Sequence, residues 1–459
     1  MQLRQGLCHE FRDGFAGIIV EVARFHAFLP SSFYHSRALS LNYSSINVLP
    51  MELMTTLRAR LLSPLNATES LFIEDAVVVV DEAGIISEVA TYDGRPVESD
   101  LRGGLLVPGF VDTHIHFPQT RVIGRASGPL LPWLENVVFP EEARFADSSH
   151  AEAVADIFCG QLARHGTTLP FVYSSVHEQA CDVLFRAFKK RGYRAFAGPV
   201  LMDRDCPDSL TRVTSDAIRS LERLAADWHS ERLRLAVIPR FALSCSPELL
   251  REGARFAQEH SLFVSTHMSE NVDECRLTVE RFGTDDYLQV YENAGLIHER
   301  TILAHCIHCS ESELSRMKEA GLKIAHCPDS NAFLGSGGMP VDLYVERGIE
   351  VTLGTDIAAG RTFSVPEICA RAYDNGRAHG VELSLRTLFY WGTRGGALAL
   401  GVPEVGHLAV GAEADMCLVS MPDWIESEEE ALNALLFDRA NTAVEKTWVK
   451  GALVYDASQ

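Results

Sequence analysis

Histidine, aspartate and arginine recur at the ends of short apolar runs in this chain. Asp112 and His114 follow Gly109-Phe-Val, Arg240 follows Leu235-Ala-Val-Ile-Pro, and His267 follows Leu262-Phe-Val-Ser-Thr. His305, His326 and Asp356 close the runs that begin at Thr301, Lys323 and Val351. In an extended strand, residues i and i+2 point to the same side. His114-Ile-His116 can therefore offer two imidazoles to one metal ion. His267-Met-Ser-Glu270 sets a neutral-nitrogen ligand of the kind zinc takes three residues before a carboxylate suited to moving protons. The same carboxylate would also suit a plain helix start, where the dipole favours negative charge. Gly354-Thr-Asp356 places an aspartate that can complete a metal set and act as a base, or cap the next helix. The small residues Ile357-Ala-Ala-Gly360 after it would let a flat ligand approach.

Other chemistries lack their residues. Gly335-Ser-Gly-Gly338 is not followed by the Gly-Lys-Ser/Thr of a phosphate-binding loop, and no H-E-x-x-H occurs. His150-Ala-Glu152 has no P-C-x-x-C to make it a nucleobase-deaminase zinc motif of the His/Cys/Cys type. His305-Cys-Ile-His-Cys309 has no second C-x₂-C for a structural zinc site, so Cys306 and Cys309 read as buried thiols.

The elements that must carry these residues alternate. Eight short apolar strands, at 109–114, 167–173, 195–200, 235–240, 262–267, 301–305, 323–326 and 351–356, are separated by helical patterns such as Ala151–Arg164 and Glu248–Glu259. That alternation predicts an α/β fold, a (β/α)₈ barrel of the TIM type. Its strand C-termini form the mouth where such enzymes work, and every polar residue named above falls at that end. Val/Ile-dense runs at 71–80 and 85–89 around a Gly turn read as a hairpin. Runs at 415–420 and 446–455 answer it, so both ends of the chain are expected to build one small β domain, a β-sandwich. The expected division is an extension over 1–50, the first part of the β domain over 51–107, the barrel over 108–400 and the second part of the β domain over 401–459. Residues 1–50 show no periodicity, and translation starting at Met51 or Met54 is an equal reading.

Composition limits the partners. The 41 basic and 62 acidic residues give a net charge of −21, which argues against a nucleic-acid footprint and against docking on anionic membranes. No apolar run reaches the ~18 residues of a membrane span. Phe15 to Leu29 is interrupted by Glu21 and Arg24, unlike a signal peptide. Eleven scattered cysteines, an odd count, fit a reducing compartment. A cytoplasmic protein is expected.

Pro108-Gly-Phe-Val-Asp-Thr-His-Ile-His116, followed by His267, His305 and Thr355-Asp356 at the ends of the fifth, sixth and eighth strands, resembles the amidohydrolase superfamily. Within it several segments are similar to the guanine deaminase family. They are His114-Ile-His-Phe-Pro-Gln119, Leu130-Leu-Pro-Trp-Leu-Glu135 with Phe139-Pro-Glu141, Met202-Asp203, Pro239-Arg-Phe241 with Ser244-Cys-Ser246, His267-Met-Ser-Glu-Asn271, His326-Cys-Pro-Asp-Ser-Asn331 and Gly354-Thr-Asp356. The chain departs from that family at Gly166-Thr-Thr-Leu169, where a third Thr is usual, and at Pro132. The resemblance implies hydrolytic deamination of guanine to xanthine and ammonia in purine catabolism, with one Zn²⁺ held by His114, His116, His267 and Asp356. Two-metal relatives carry a lysine on strand four, where this chain has Ile238-Pro-Arg240. Glu270 would take the water proton, Asp356 would align the nucleophile, and His305 would stabilise the intermediate. Gln119, Arg240 and Phe241, with His267 at the border, would bind the purine base; an Arg fork matches the O6 and N7 acceptors of guanine. A homodimer is expected from the resemblance. Related activities on a pterin, an 8-oxopurine or a triazine, or a catalytically dead barrel, are the alternatives.

Overall fold

The computed structural model describes residues 55–459. The expected extension over residues 1–50, and the alternative starts at Met51 and Met54, lie outside them.

Four strands come first: β1 (Thr55–Pro64), β2 (Ser70–Val80), β3 (Ile86–Thr91) and β4 (Ser99–Pro108). Eight more alternate with helices: β5 (Phe110–His116), β6 (Thr167–Ser174), β7 (Ala195–Leu201), β8 (Leu233–Pro239), β9 (Phe263–Met268), β10 (Thr301–His305), β11 (Lys323–His326) and β12 (Glu350–Leu353). The last three are β13 (Met416–Ser420), β14 (Val444–Val449) and β15 (Ala452–Asp456). All eight strands read from the middle of the sequence are present and form one parallel sheet in the order β12 back to β5. The hydrogen-bonded order follows the chain order, as each strand–helix unit packs beside the previous one.

The two ends of that sheet meet. Thr113 Oγ1 on β5 lies 2.8 Å from Thr352 Oγ1 and donates to the Leu353 carbonyl on β12 at 2.9 Å. Asp356 N donates to the His114 carbonyl at 2.9 Å. Asp112 accepts from Thr355 N at 3.1 Å and Thr355 Oγ1 at 2.5 Å. These bonds bring the first and last strands into a nearly closed barrel.

The remaining seven strands form a second sheet, ordered β15-β14-β13-β4-β1-β2-β3. It joins strands from both sides of the barrel segment, as the sequence led one to expect. Leu57, Ala59 and Leu61 on β1, Ala76, Val78 and Val80 on β2, and Met416 and Leu418 on β13 recur at every second position and gather in one apolar cluster. Intervening residues such as Leu62, Leu105, Val107 and Val419 join the larger core that includes the barrel. The run at 446–455 is not one strand. It turns at Lys450 and Gly451, both at positive φ, and returns as β15. Strands β1 and β4 were not anticipated individually.

Candidate active site

The barrel mouth gathers His114, His116, His267 and Asp356 so that one ligand atom from each lies within 4.8 Å of the others. His114 and His116 leave β5 on one side, as i and i+2 residues must. Their Nε2 atoms are 3.2 Å apart, and His116 Nε2 is 3.2 Å from His267 Nε2. Asp356 Oδ1 is 3.3 Å from both His114 Nε2 and His116 Nε2. A tetrahedral zinc with ligands at ~2.0–2.1 Å requires ligand-to-ligand edges of about 3.3 Å. The donor set therefore fits a metal of that size.

The protonation state fits too. Burial holds the His116 imidazole down to about 3 and His267 well below its ordinary value, so both are neutral donors. His267 Nδ1 donates to the Arg240 carbonyl at 2.6 Å, which leaves the Nε2 lone pair free to ligate. The Tyr173 ring packs against His114, His116 and His267 with centroids 4.6, 4.6 and 5.1 Å away. Its hydroxyl is tied to Ser265 Oγ at 2.9 Å.

Asp356 is not on a strand. β12 ends at Leu353, and Asp356 sits three residues further on with φ of 50°. Its backbone bond to the His114 carbonyl holds this left-handed position, in keeping with strain concentrated at functional sites. His305, at the end of β10, has φ of 69°. Its Nδ1 is 2.8 Å from Asn331 Oδ1, which fixes the ring. Its Nε2 faces Glu270 Oε2 at 3.4 Å and Asp356 Oδ2 at 3.8 Å. Burial, with the charges of Asp356 and Glu274, pushes the Glu270 carboxyl well above the usual range. Glu274 accepts from the Glu270 backbone N at 3.0 Å and fixes the turn that presents it.

Beside the metal group lies a tight cavity of about 30 Å³. Gln119, Arg240, Phe241, Glu270 and Asp356 line it, and Leu130, Trp133, Leu134 and Leu334 add an apolar wall. Leu130, Trp133 and Leu134 belong to one broken helix, Leu130–Trp133, a π-helical turn over Leu134–Val138, and Phe139–Glu142, while Leu334 comes from the end of the helix Pro328–Phe333. Gln119 Oε1 accepts from Ala358 N at 3.0 Å, so the small-residue loop after Asp356 closes on it.

The residues singled out from sequence thus converge, except Asp112, whose carboxylate is taken by Thr355 and the His114 backbone, and His326. His326 ends β11, but neither ring nitrogen has a hydrogen-bond partner among the described residues, and it is outside the metal group. Sequence reasoning missed Glu142, Glu274, Asn331 and the Tyr173 ring. Glu142 was visible only as the neighbour of the Phe139-Pro-Glu141 motif. Asn331 stood in the His326-Cys-Pro-Asp-Ser-Asn331 segment without a role and Glu274 stood in no motif, and only their buried partners reveal what they do. Of the two thiols read as buried, Cys306 is, while Cys309 is half-buried.

Residues 105–454 match the amidohydrolase family. The chain belongs to that family. It is 38% identical over 363 residues to the guanine deaminase of Escherichia coli (strain K12), covering 78% of this chain and 81% of that one. Among solved structures, E. coli guanine deaminase superimposes with a TM-score of 0.84 at 34% identity, over 88% of this chain and 100% of that one. The guanine deaminase of C. acetobutylicum, solved with guanine in its active site, gives 0.82 at 30% identity over the same shares. No helix among the described residues is long and apolar enough to cross a membrane.

Proposed function

We propose that this chain is a zinc-dependent guanine deaminase that hydrolyses guanine to xanthine and ammonia. One observation carries the reading. Three imidazole nitrogens and a carboxylate converge beside a cavity whose polar lining, Arg240 and Gln119, suits a purine edge. The similarity to guanine deaminases along most of the chain supports it.

His114, His116, His267 and Asp356 would hold one Zn²⁺. A bound zinc ion lowers the pKa of a water molecule from 15.7 toward ~7. The protein's own groups do the rest. Glu270, whose carboxyl burial keeps protonatable, takes a proton from the attacking water and delivers it to the ring nitrogen beside C2. A second transfer lets the C2 amine leave as ammonia. Asp356 aligns the water, and its Oδ2 lies 3.8 Å from His305 Nε2, which also faces Glu270 Oε2. His305, whose ring is fixed by Asn331 with Nε2 toward Glu270 and Asp356, stabilises charge on the tetrahedral carbon's substituents. Arg240 offers a planar donor fork to O6 and N7, Gln119 adds amide contacts, and Phe241 walls the ring. The protein would act in the cytoplasm as a homodimer, which light scattering on the full chain would check.

The deciding experiment measures ammonia release from guanine, 8-oxoguanine, adenine, isoxanthopterin and ammeline, with metal content on the same sample. Guanine should be the best substrate, with about one zinc per chain. A strong preference for another base of the panel would replace the substrate, and absence of turnover on all of them would overturn the enzyme reading.

A further inference from the structure

Glu142 ends the broken helix that walls the cavity, and its side chain is 1% exposed. It does not belong to the metal group and does not line the cavity. Its carboxylate nevertheless touches both polar residues that would read the base. Oε2 lies 2.5 Å from Arg240 Nη1, and Oε1 accepts from Gln119 Nε2 at 3.2 Å. Arg240 comes from the end of β8 and Gln119 from the turn after β5, so this one group couples parts of the mouth separated by β6 and β7.

The coupling has a direction. A carboxylate can only accept, so it turns the Gln119 amide with its nitrogen inward, and Ala358 N then donates to the oxygen. Glu142 also occupies only one nitrogen of the Arg240 fork. The Nε and Nη2 of Arg240 have no partner among the described residues and remain for a ligand. The Phe139 ring, one turn earlier on the same helix, lies 5.4 Å from the guanidinium carbon. Arg240 is therefore clamped by a charged end and an aromatic face from a single element.

We infer that Glu142 is the positioning residue that sets base specificity: it holds the Arg240 guanidinium and the Gln119 amide as one donor array, matched to a base with adjacent carbonyl and ring-nitrogen acceptors. The inference rests on the guanine deaminase reading above. A merely structural Glu142 would affect folding or metal retention. A positioning Glu142 affects how tightly, and which, base is held.

Glu142→Gln keeps the shape and loses the charge, while Glu142→Asp keeps the charge but is one methylene too short to reach both partners. For Glu142→Gln, KM for guanine should rise roughly 10–100-fold, the scale of a small misplacement, while kcat stays within about threefold. Zinc content should match wild type. The preference for guanine over 2-aminopurine, which lacks O6, should narrow when read as inhibition by 2-aminopurine. Glu142→Asp should fall between. In an Arg240→Ala background, adding Glu142→Gln should cost much less than it does alone, because contacting residues are not additive. Unchanged KM and selectivity, losses that add in the double variant, or a parallel loss of zinc would each overturn the inference. If Glu142→Gln does not fold, Glu142→Asp is read by the same criteria. If wild type releases no ammonia from guanine, the functional reading fails, and the KM and selectivity of Glu142→Gln on the base it does deaminate still decide the role of Glu142.

Discussion

Among the described residues Glu270 has no Lys or Arg within ion-pair reach, and His305 Nε2 lies 3.4 Å from its Oε2. Burial and the charges of Asp356 and Glu274 raise the affinity of Glu270 for a proton, as suits a group that takes one from water and hands it on. Glu270→Gln keeps the size but cannot pass a proton, so kcat should fall roughly 10²–10⁴-fold, toward the upper end because one group serves several transfers. Zinc content and guanine affinity should stay near wild type. Near-normal kcat, or loss of zinc, would move the base role to Asp356. Arg240→Ala should act on binding instead. KM should rise, and guanine should lose its advantage over other amines. Because it also strands the Glu142 carboxylate, the variant should unfold more easily, by the ~3–5 kcal/mol typical of breaking a buried pair. Chemical denaturation measured beside KM separates the two effects. His114→Ala or His116→Ala should abolish both bound zinc and turnover, which elemental analysis reads directly.

At the scale of elements, the metal group depends on how β5 and β12 meet. A Cβ on Gly354 would stand 2.7 Å from His114 Cβ and 2.9 Å from Cys327 Sγ, closer than such atoms can sit. Gly354→Ala must therefore push the end of β12 away from β5 and disturb both His114 and Asp356. Disturbing the supports of metal ligands typically lowers metal affinity 10–100-fold. The variant should remain folded by circular dichroism yet lose zinc at chelator concentrations that leave wild type loaded. Retention of zinc at wild-type affinity would show that the strand end has room to relax. The same junction explains why Asp112, prominent in the sequence, has no place in the metal group. It is a buried residue of β5 and spends its carboxylate on Thr355 and the His114 backbone.

For the whole molecule, the packing of the small sheet on the barrel leaves a trace in the pH dependence of stability. Asp415, buried between them, accepts from Lys450 N at 2.6 Å, yet burial still pushes its carboxyl up from 3.8 to about 6. Between those values the native state holds a proton that the unfolded chain has released. The contribution of this one group to stability is therefore fullest below pH 4, falls as pH rises toward 6 and is then level. Two units correspond to roughly 3 kcal/mol. Asp415→Asn removes this titration, so the wild-type-minus-variant difference in unfolding free energy should decline between pH 4 and 6 and stay flat above pH 7. A difference independent of pH would mean that Asp415 is ionised throughout. Residues 1–50 carry none of the motifs that meet at the mouth, so a chain beginning at Met51 should stay folded and active. Loss of folding on that truncation would show that the extension contributes to the core.

Much was legible because it is local and periodic. Eight apolar runs bounded by helical patterns announce a barrel, and two imidazoles spaced i, i+2 must share a side of any strand. That His114, His267 and His305 lie at the mouth followed from strand ends, since a parallel barrel puts all its C-termini at one mouth, whereas Asp356 falls three residues past the end of β12. β4 escaped notice because its start, Ser99-Asp-Leu-Arg-Gly-Gly, reads as a turn until β1 and β13 pair with it. β1 lies against the undivided apolar run of β2, which drew the hairpin reading to itself. What only the tertiary structure decided is which carboxylates do which work. Glu141 and Glu142 are adjacent and chemically alike. The helix turns Glu141 toward His150 and Arg144, and Glu142 toward Arg240 and Gln119. No spacing rule separates them, because the difference lies in partners 98 and 23 residues away that meet only when the barrel closes.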